Sequence, residues 1–311
     1  MENPWVQAQR WRHSLILVAS VVLLTKNTYG QAPHAEFAHG IDYAFERMQA
    51  VRRTDDEGTV TLVAYVYRPL KLNRHRVVLF NHGSTGGWAI SPKEPLYAPP
   101  RSIIKFFTRH GYTVVAPMRR GAGESSGTYR EECAFQAHQC SLEENRALTM
   151  SGLQDASRDL DAFIEQIVFD RLVPRGAKIL LCGISRGGFL SVYYAGERAA
   201  RVSGVVNFVG GWLSVSDKWP AEENAQRLQL QSQLLIRAGA KVAAPTLWVY
   251  GSRDPFYSEA TSRRWFKAYV DGGGKAEYLF ITGHNLEHGH LVANNLALWE
   301  AAAERYLNKL P

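Results

Sequence analysis

The chain reads as an α/β protein, with one mainly parallel, eight-stranded sheet, helices on both faces and a small lid insertion. Three observations predict this. Short apolar runs alternate with stretches of helical spacing, the pattern of buried parallel strands joined by crossover helices. Two β-rich runs at the start have no helix between them, which predicts an antiparallel edge. A glycine-flanked serine, Gly183-Ile184-Ser185-Arg186-Gly187, stands between an apolar run and an amphipathic one, as at a strand-to-helix turn. At 311 residues, 46% hydrophobic and 21% charged, the composition suits one domain with a single large core.

Residues 1–30 come first and read as a secretory signal. Arg10, Arg12 and His13 precede the apolar run 14–24, and polar residues 25–28 lead to the small Gly30. That run is well short of the roughly 20 residues needed to cross a bilayer. Cleavage is expected after Gly30 or Ala32, the former favoured because Pro33 would otherwise follow the cut. The expected product is secreted or periplasmic, without a stable membrane anchor. In such an oxidising compartment Cys133 and Cys140, seven apart in a polar stretch, are expected to form a disulfide. Cys182 ends an apolar run and reads as a small buried hydrophobe. The net charge of +7 is spread along the chain, with no Lys/Arg block interleaved with aromatics, so nucleic acid is not an expected partner.

The domain proper is expected over 40–311. Runs 43–51 and 60–67 flank the turn-like 54–58, and 76–81 ends in His82-Gly83-Ser84-Thr85-Gly86-Gly87. A helix over 102–110 and a buried strand over 112–117 follow. Ser151-Gly152-Leu153-Gln154 reads as a capping box, because Leu153, Ala156, Leu160, Phe163, Ile164 and Ile167 then recur at helical spacing. Further strands are expected at 178–182, 202–209, 245–250 and 276–281, with helices over 189–198 and 258–270. Val292, Leu296, Trp299, Ala303 and Tyr306 mark one face of a closing helix. The stretch 212–240 fits no strand. It is either a lid over the strand ends or a surface excursion, and Trp88, Trp212 and Trp219 are candidates to line a pocket.

A serine hydroxyl is a poor nucleophile at neutral pH; it needs a base, and the base needs an orienting acid. At a nucleophile elbow these partners follow in the order serine, acid, histidine. Asp254, in Gly251-Ser252-Arg253-Asp254-Pro255 directly after a strand, is the acid candidate. Three histidines follow the last strand: His290 is favoured because Gly289-His290 leaves a longer loop, with His284 and His288 as alternatives. An oxyanion requires two backbone N–H groups. Arg186, after the serine, supplies one, and Ser84, or else Thr85, supplies the other.

Taken together, His82-Gly83-Ser84, Arg120-Gly121-Ala122-Gly123-Glu124-Ser125, Gly183–Gly187 with Gly188, Asp254 and Gly289-His290 resemble the α/β-hydrolase superfamily over roughly residues 40–310. The chain is most similar to its dienelactone-hydrolase-like and prolyl-oligopeptidase-like branches. True dienelactone hydrolases carry a cysteine where this chain has Ser185, and the prolyl-peptidase branch usually carries an extra domain that this length cannot hold. The resemblance implies an exported serine hydrolase of a carboxylic ester or thioester, acting on a small ester or short peptide without metal or organic cofactor. A serine peptidase and a non-catalytic binding protein are the alternatives. Two other motifs compete. Gly121-Ala122-Gly123 has Ser126 where a dinucleotide loop needs its third glycine. His284-Asn285-Leu286-Glu287-His288 matches the H-x-x-E-H zinc pattern but is bracketed by Gly283 and Gly289.

Overall fold

The computed structural model describes residues 43–54, 56–84, 98–131, 141–216, 219–283, 286 and 288–311. The expected signal peptide, Thr85, Trp88, Cys133, Cys140 and His284 lie outside the described residues.

Strands β1 (Tyr43–Thr54) and β2 (Gly58–Pro69) form the antiparallel edge. β2 then pairs antiparallel with β4 (Tyr112–Pro117). From β4 onward the neighbours run parallel: β3 (Arg76–Asn81), β5 (Ile179–Ile184), β6 (Val202–Phe208), β7 (Thr246–Gly251) and β8 (Ala276–Ile281). Strand order across the sheet is β1-β2-β4-β3-β5-β6-β7-β8. Every residue of β4 and β7 is buried, as strands covered on both faces require. The chain moves one way from β3 to β4, then returns past β3 to β5. Loops leaving β3 and β5 therefore diverge, and the crevice between them lies where open α/β sheets bind ligands.

Helices α1 (Arg101–Arg109), α2 (Leu142–Phe169), α3 (Arg186–Glu197), α4 (Ala221–Gly239), α5 (Glu259–Asp271) and α6 (Glu300–Leu307) complete the fold. Two expectations are corrected. The long helix starts ten residues before the expected capping box. Ser141 is the N-cap: its hydroxyl accepts from the Glu144 N–H at 3.2 Å, and Glu144 Oε2 accepts from the Ser141 N–H at 2.7 Å. Ser151 lies inside α2, its hydroxyl bonded back to the Leu148 carbonyl at 3.2 Å. The S-x-x-E/Q pattern occurs at both Ser141 and Ser151, and the first two turns are polar because they are largely solvated. Apolar periodicity marks only where the core begins.

The closing helix is also broken into 3₁₀ turns at Gly289–Asn294 and Leu296–Leu298 before α6. Asn295 is extended (φ −105°, ψ 97°) and separates them. Val292, Trp299, Ala303 and Tyr306 are nevertheless buried, so the apolar spacing found the face and missed the break. In the 212–240 stretch, the body of α4 packs on α3 and α5 as the β6-to-β7 crossover. Its approach, with Trp212, Leu213, Ser214 and Trp219, lines the cavity described below, as does Arg227. Cys182 is fully buried on β5 as a free thiol, and burial pushes its pKa up. Among the described residues no helix starts directly after Gly121-Ala122-Gly123; the Ser125 and Ser126 hydroxyls instead accept from the Val63 and Thr61 N–H groups of β2.

Candidate active site

Ser185 occupies the turn between β5 and α3 at φ 56°, ψ −122°, a region that costs a non-glycine residue about 1–3 kcal/mol. The strain is held from both sides. Its N–H donates to the Phe208 carbonyl at 2.9 Å, and its carbonyl accepts from Phe189 and Gly211 at 3.1 and 3.2 Å. The elbow also presses on β3: a Cβ at Gly187 would lie 1.9 Å from the Asn81 carbonyl oxygen, so only glycine fits. The result is a serine 8% exposed, its hydroxyl without a hydrogen-bond partner among the described residues, at the N-terminal, positive end of α3.

Asp254 leaves β7 in a tight turn with its side chain fully buried. Oδ1 accepts from the Phe256 and Tyr257 N–H groups at 2.8 and 3.1 Å. Oδ2 faces His290 Nδ1 at 2.9 Å. Because Asp254 is anchored by two backbone donors, it fixes the imidazole plane and leaves Nε2 as the nitrogen not engaged by it. A close backbone crossing brings His290 there: a Cβ at Gly289 would lie 2.3 Å from the carbonyl oxygens of Gly251 and Ser252. The crossing is pinned further along. Ser102 donates to the Ala293 carbonyl at 2.5 Å, and Trp299 packs edge-on between Phe106 and Phe208.

Ser185 and His290 line one cavity of about 550 Å³, together with Gly83, Ser84, Arg186 and a wall containing Trp212, Trp219, Phe256 and Tyr257. Thus the structure brings together Ser185, Asp254, His290, Ser84 and Arg186. His288 does not line this cavity, and its Nδ1 is buried without a hydrogen bond. His284 and Glu287 of the H-x-x-E-H stretch lie outside the described residues.

A buried charged cluster that reaches the cavity at His82 and Arg186 was missed by sequence reasoning. Arg119, Glu131 and Arg186 are each at least nine-tenths buried. Glu131 accepts from both guanidinium groups. Burial alone would raise its carboxyl pKa, but the Arg119 charge and hydrogen bonds, with Arg186 behind them, bring it down to about 2. His82 is buried beside the same arginine, and burial followed by the Arg119 charge lowers its pKa to about 3. Its hydrogen bonds agree with a neutral ring. Nδ1 donates to the Gly83 carbonyl at 2.8 Å, while Nε2 accepts the Arg119 backbone N–H at 3.2 Å. Arg119-Arg120 directly after an apolar strand was the visible signal; Glu131, amid polar residues, gave none.

A serine at a strained turn after the fifth strand, an aspartate after the seventh and a histidine after the eighth are thus set on one mainly parallel sheet. The chain belongs to the α/β-hydrolase fold family, whose model matches residues 76–234, just over half of its length. No curated protein matches it in sequence. Among solved structures it is similar to an esterase from Pyrococcus furiosus, with 14% identity and a TM-score of 0.58 over 90% of this chain and 96% of that one. It is similar also to acylaminoacyl peptidase from Pyrococcus horikoshii, with 16% identity and a TM-score of 0.55 over 86% of this chain and 42% of that one. A third is a Butyrivibrio proteoclasticus protein solved with ferulic acid bound, with 19% identity and a TM-score of 0.54 over 84% of this chain and all of that one. At these identities the likeness is one of fold.

Proposed function

We propose that this chain is a serine hydrolase that cleaves a carboxylic ester, or a thioester, through an acyl-enzyme on Ser185. One observation carries the reading: Ser185 and His290 line the same cavity, and Asp254 holds the His290 imidazole from behind at 2.9 Å. In this scheme His290 Nε2 removes the Ser185 proton as Oγ attacks the carbonyl carbon. Asp254 stabilises the imidazolium and stays ionised. The tetrahedral oxyanion is held by the N–H groups of Ser84 and Arg186. Collapse expels the alcohol or thiol, which takes the proton from His290. Water then attacks the acyl-enzyme by the same route and releases the acid. The scheme calls for no metal or organic cofactor. An ester or thioester suits it better than an amide, because an amine leaves only when more fully protonated.

The test is fluorophosphonate labelling of the folded protein, with peptide mass spectrometry to locate the adduct. The expected result is one adduct, on Ser185, that does not form when the protein is heat-denatured before labelling and is absent in Ser185→Ala. A folded protein that takes no label and turns over no member of an ester, thioester and peptide panel would overturn the proposal in favour of a binding role.

A further inference from the structure

The buried ions at the cavity have a geometric role that the triad alone does not require. Arg119 Nη1 donates to the His82 carbonyl at 2.7 Å and Nη2 to the Gly83 carbonyl at 2.9 Å. The Gly83 carbonyl also accepts from His82 Nδ1 at 2.8 Å. Gly83 C=O and Ser84 N–H belong to one peptide unit. No peptide bond among the described residues is cis, so that N–H points opposite to the carbonyl. Two donors holding the carbonyl therefore turn the Ser84 N–H the other way.

The second N–H is fixed through the same anion. Arg186 donates from Nε to the Trp212 carbonyl at 2.9 Å, and from Nη1 to the Tyr129 hydroxyl at 2.9 Å and Glu131 Oε2 at 3.3 Å. Trp212 Nε1 donates in turn to the Glu131 carbonyl at 3.2 Å. Glu131 so joins the loops that follow β3, β4, β5 and β6. The approach of its backbone is built in: a Cβ at Gly152, mid-helix in α2, would lie 2.7 Å from the Arg130 carbonyl oxygen and 3.2 Å from Glu131 Cα. A buried Arg-Glu-Arg group is a poor way to gain stability, because desolvating three charges offsets most of their attraction. A geometric role explains why ions stand here.

We infer that Glu131 is a positioning residue for the oxyanion hole: through Arg119 and Arg186 it aims the Ser84 and Arg186 N–H groups at one point above Ser185. This rests on the proposed acyl-enzyme chemistry. Glu131 touches no substrate and exchanges no proton.

The experiment compares wild type, Glu131→Gln and Arg119→Lys in hydrolysis of p-nitrophenyl acetate and of its thionoester, whose sulfur fits an oxyanion hole poorly. Arg119→Lys keeps the ion pair with Glu131 but loses the fork on the His82 and Gly83 carbonyls, so it decides the matter where Glu131→Gln fails to fold. The expected result is a kcat for the oxygen ester lowered by about 10²-fold, the effect of losing one oxyanion donor, with KM within about threefold. The rate ratio of oxygen ester to thionoester should fall toward unity in the variants. A kcat within about threefold of wild type in folded Arg119→Lys, or an unchanged ester-to-thionoester ratio, overturns the inference. Failure of the underlying chemistry looks different: wild type itself would neither turn over the ester nor take a fluorophosphonate on Ser185.

Discussion

Lowering the pH from 7 to 4 should destabilise this protein through one histidine. His82 is buried, donates from Nδ1 and accepts at Nε2, so a second proton would break the bond from the Arg119 N–H and add charge beside a guanidinium. Its pKa is about 3 in the folded chain, against 6.5 for the free side chain. Between these values the unfolded chain binds the proton and the folded chain does not. Stability from this group is therefore complete above pH 6.5 and is lost progressively as pH falls toward 3. At about 1.4 kcal/mol per pKa unit, the loss at pH 4 comes to about 3 kcal/mol. Glu131, with its depressed pKa of about 2, adds a loss of the same sign, about 1 kcal/mol at pH 4. The assay is urea unfolding at pH 7 and pH 4 for wild type and His82→Gln, each extrapolated to water. His82→Gln lowers stability at both pH values, but its drop between them should be smaller than wild type's by about 3 kcal/mol. Equal drops in the two proteins would refute the argument that His82 is held neutral.

Two further outcomes are expected. His290→Ala should lose on the order of 10⁴-fold in kcat for an activated ester, whereas His284→Ala retains most activity; steady-state kinetics giving the reverse ranking would move the base to His284. Tyr306→Phe should cost about 1–3 kcal/mol with kinetics unchanged, because the buried hydroxyl accepts from the Val205 N–H and donates to the Pro245 carbonyl, both at 2.7 Å, and lies outside the cavity lining. Thermal and urea denaturation measure that loss. A Tyr306→Phe protein as stable as wild type would show that the direct bond from the Val205 N–H to the Pro245 carbonyl, 3.3 Å long, satisfies both groups without the hydroxyl.

The layout was legible because its signals are local. A strand buried on both faces must be apolar throughout, and the expected bounds of β3, β4 and β8 coincide with those observed. The elbow was legible because its turn tolerates only glycine at Gly187, and that restriction is written in the chain itself. The start of α2 was misplaced because a helix with a solvated beginning carries no apolar periodicity there, only a cap. The face of the closing helix was readable from spacing, while its break at Asn295 was not.

The sequence by itself determined the strand order along the chain, the serine at its turn and the short segments that carry an acid and three histidines. Only the tertiary structure decided which loops meet. His288 and His290 are chemically alike and two residues apart. What separates them is the crossing of Gly289 over Gly251, a contact between residues 38 apart that puts His290 against Asp254. Glu131 lies 55 residues from Arg186 in the chain, and its proximity follows from the β3–β5 reversal and the gap at Gly152. Periodicity records how each segment meets the core. It does not record which distant charge waits on the other side, because that depends on how the sheet orders its strands.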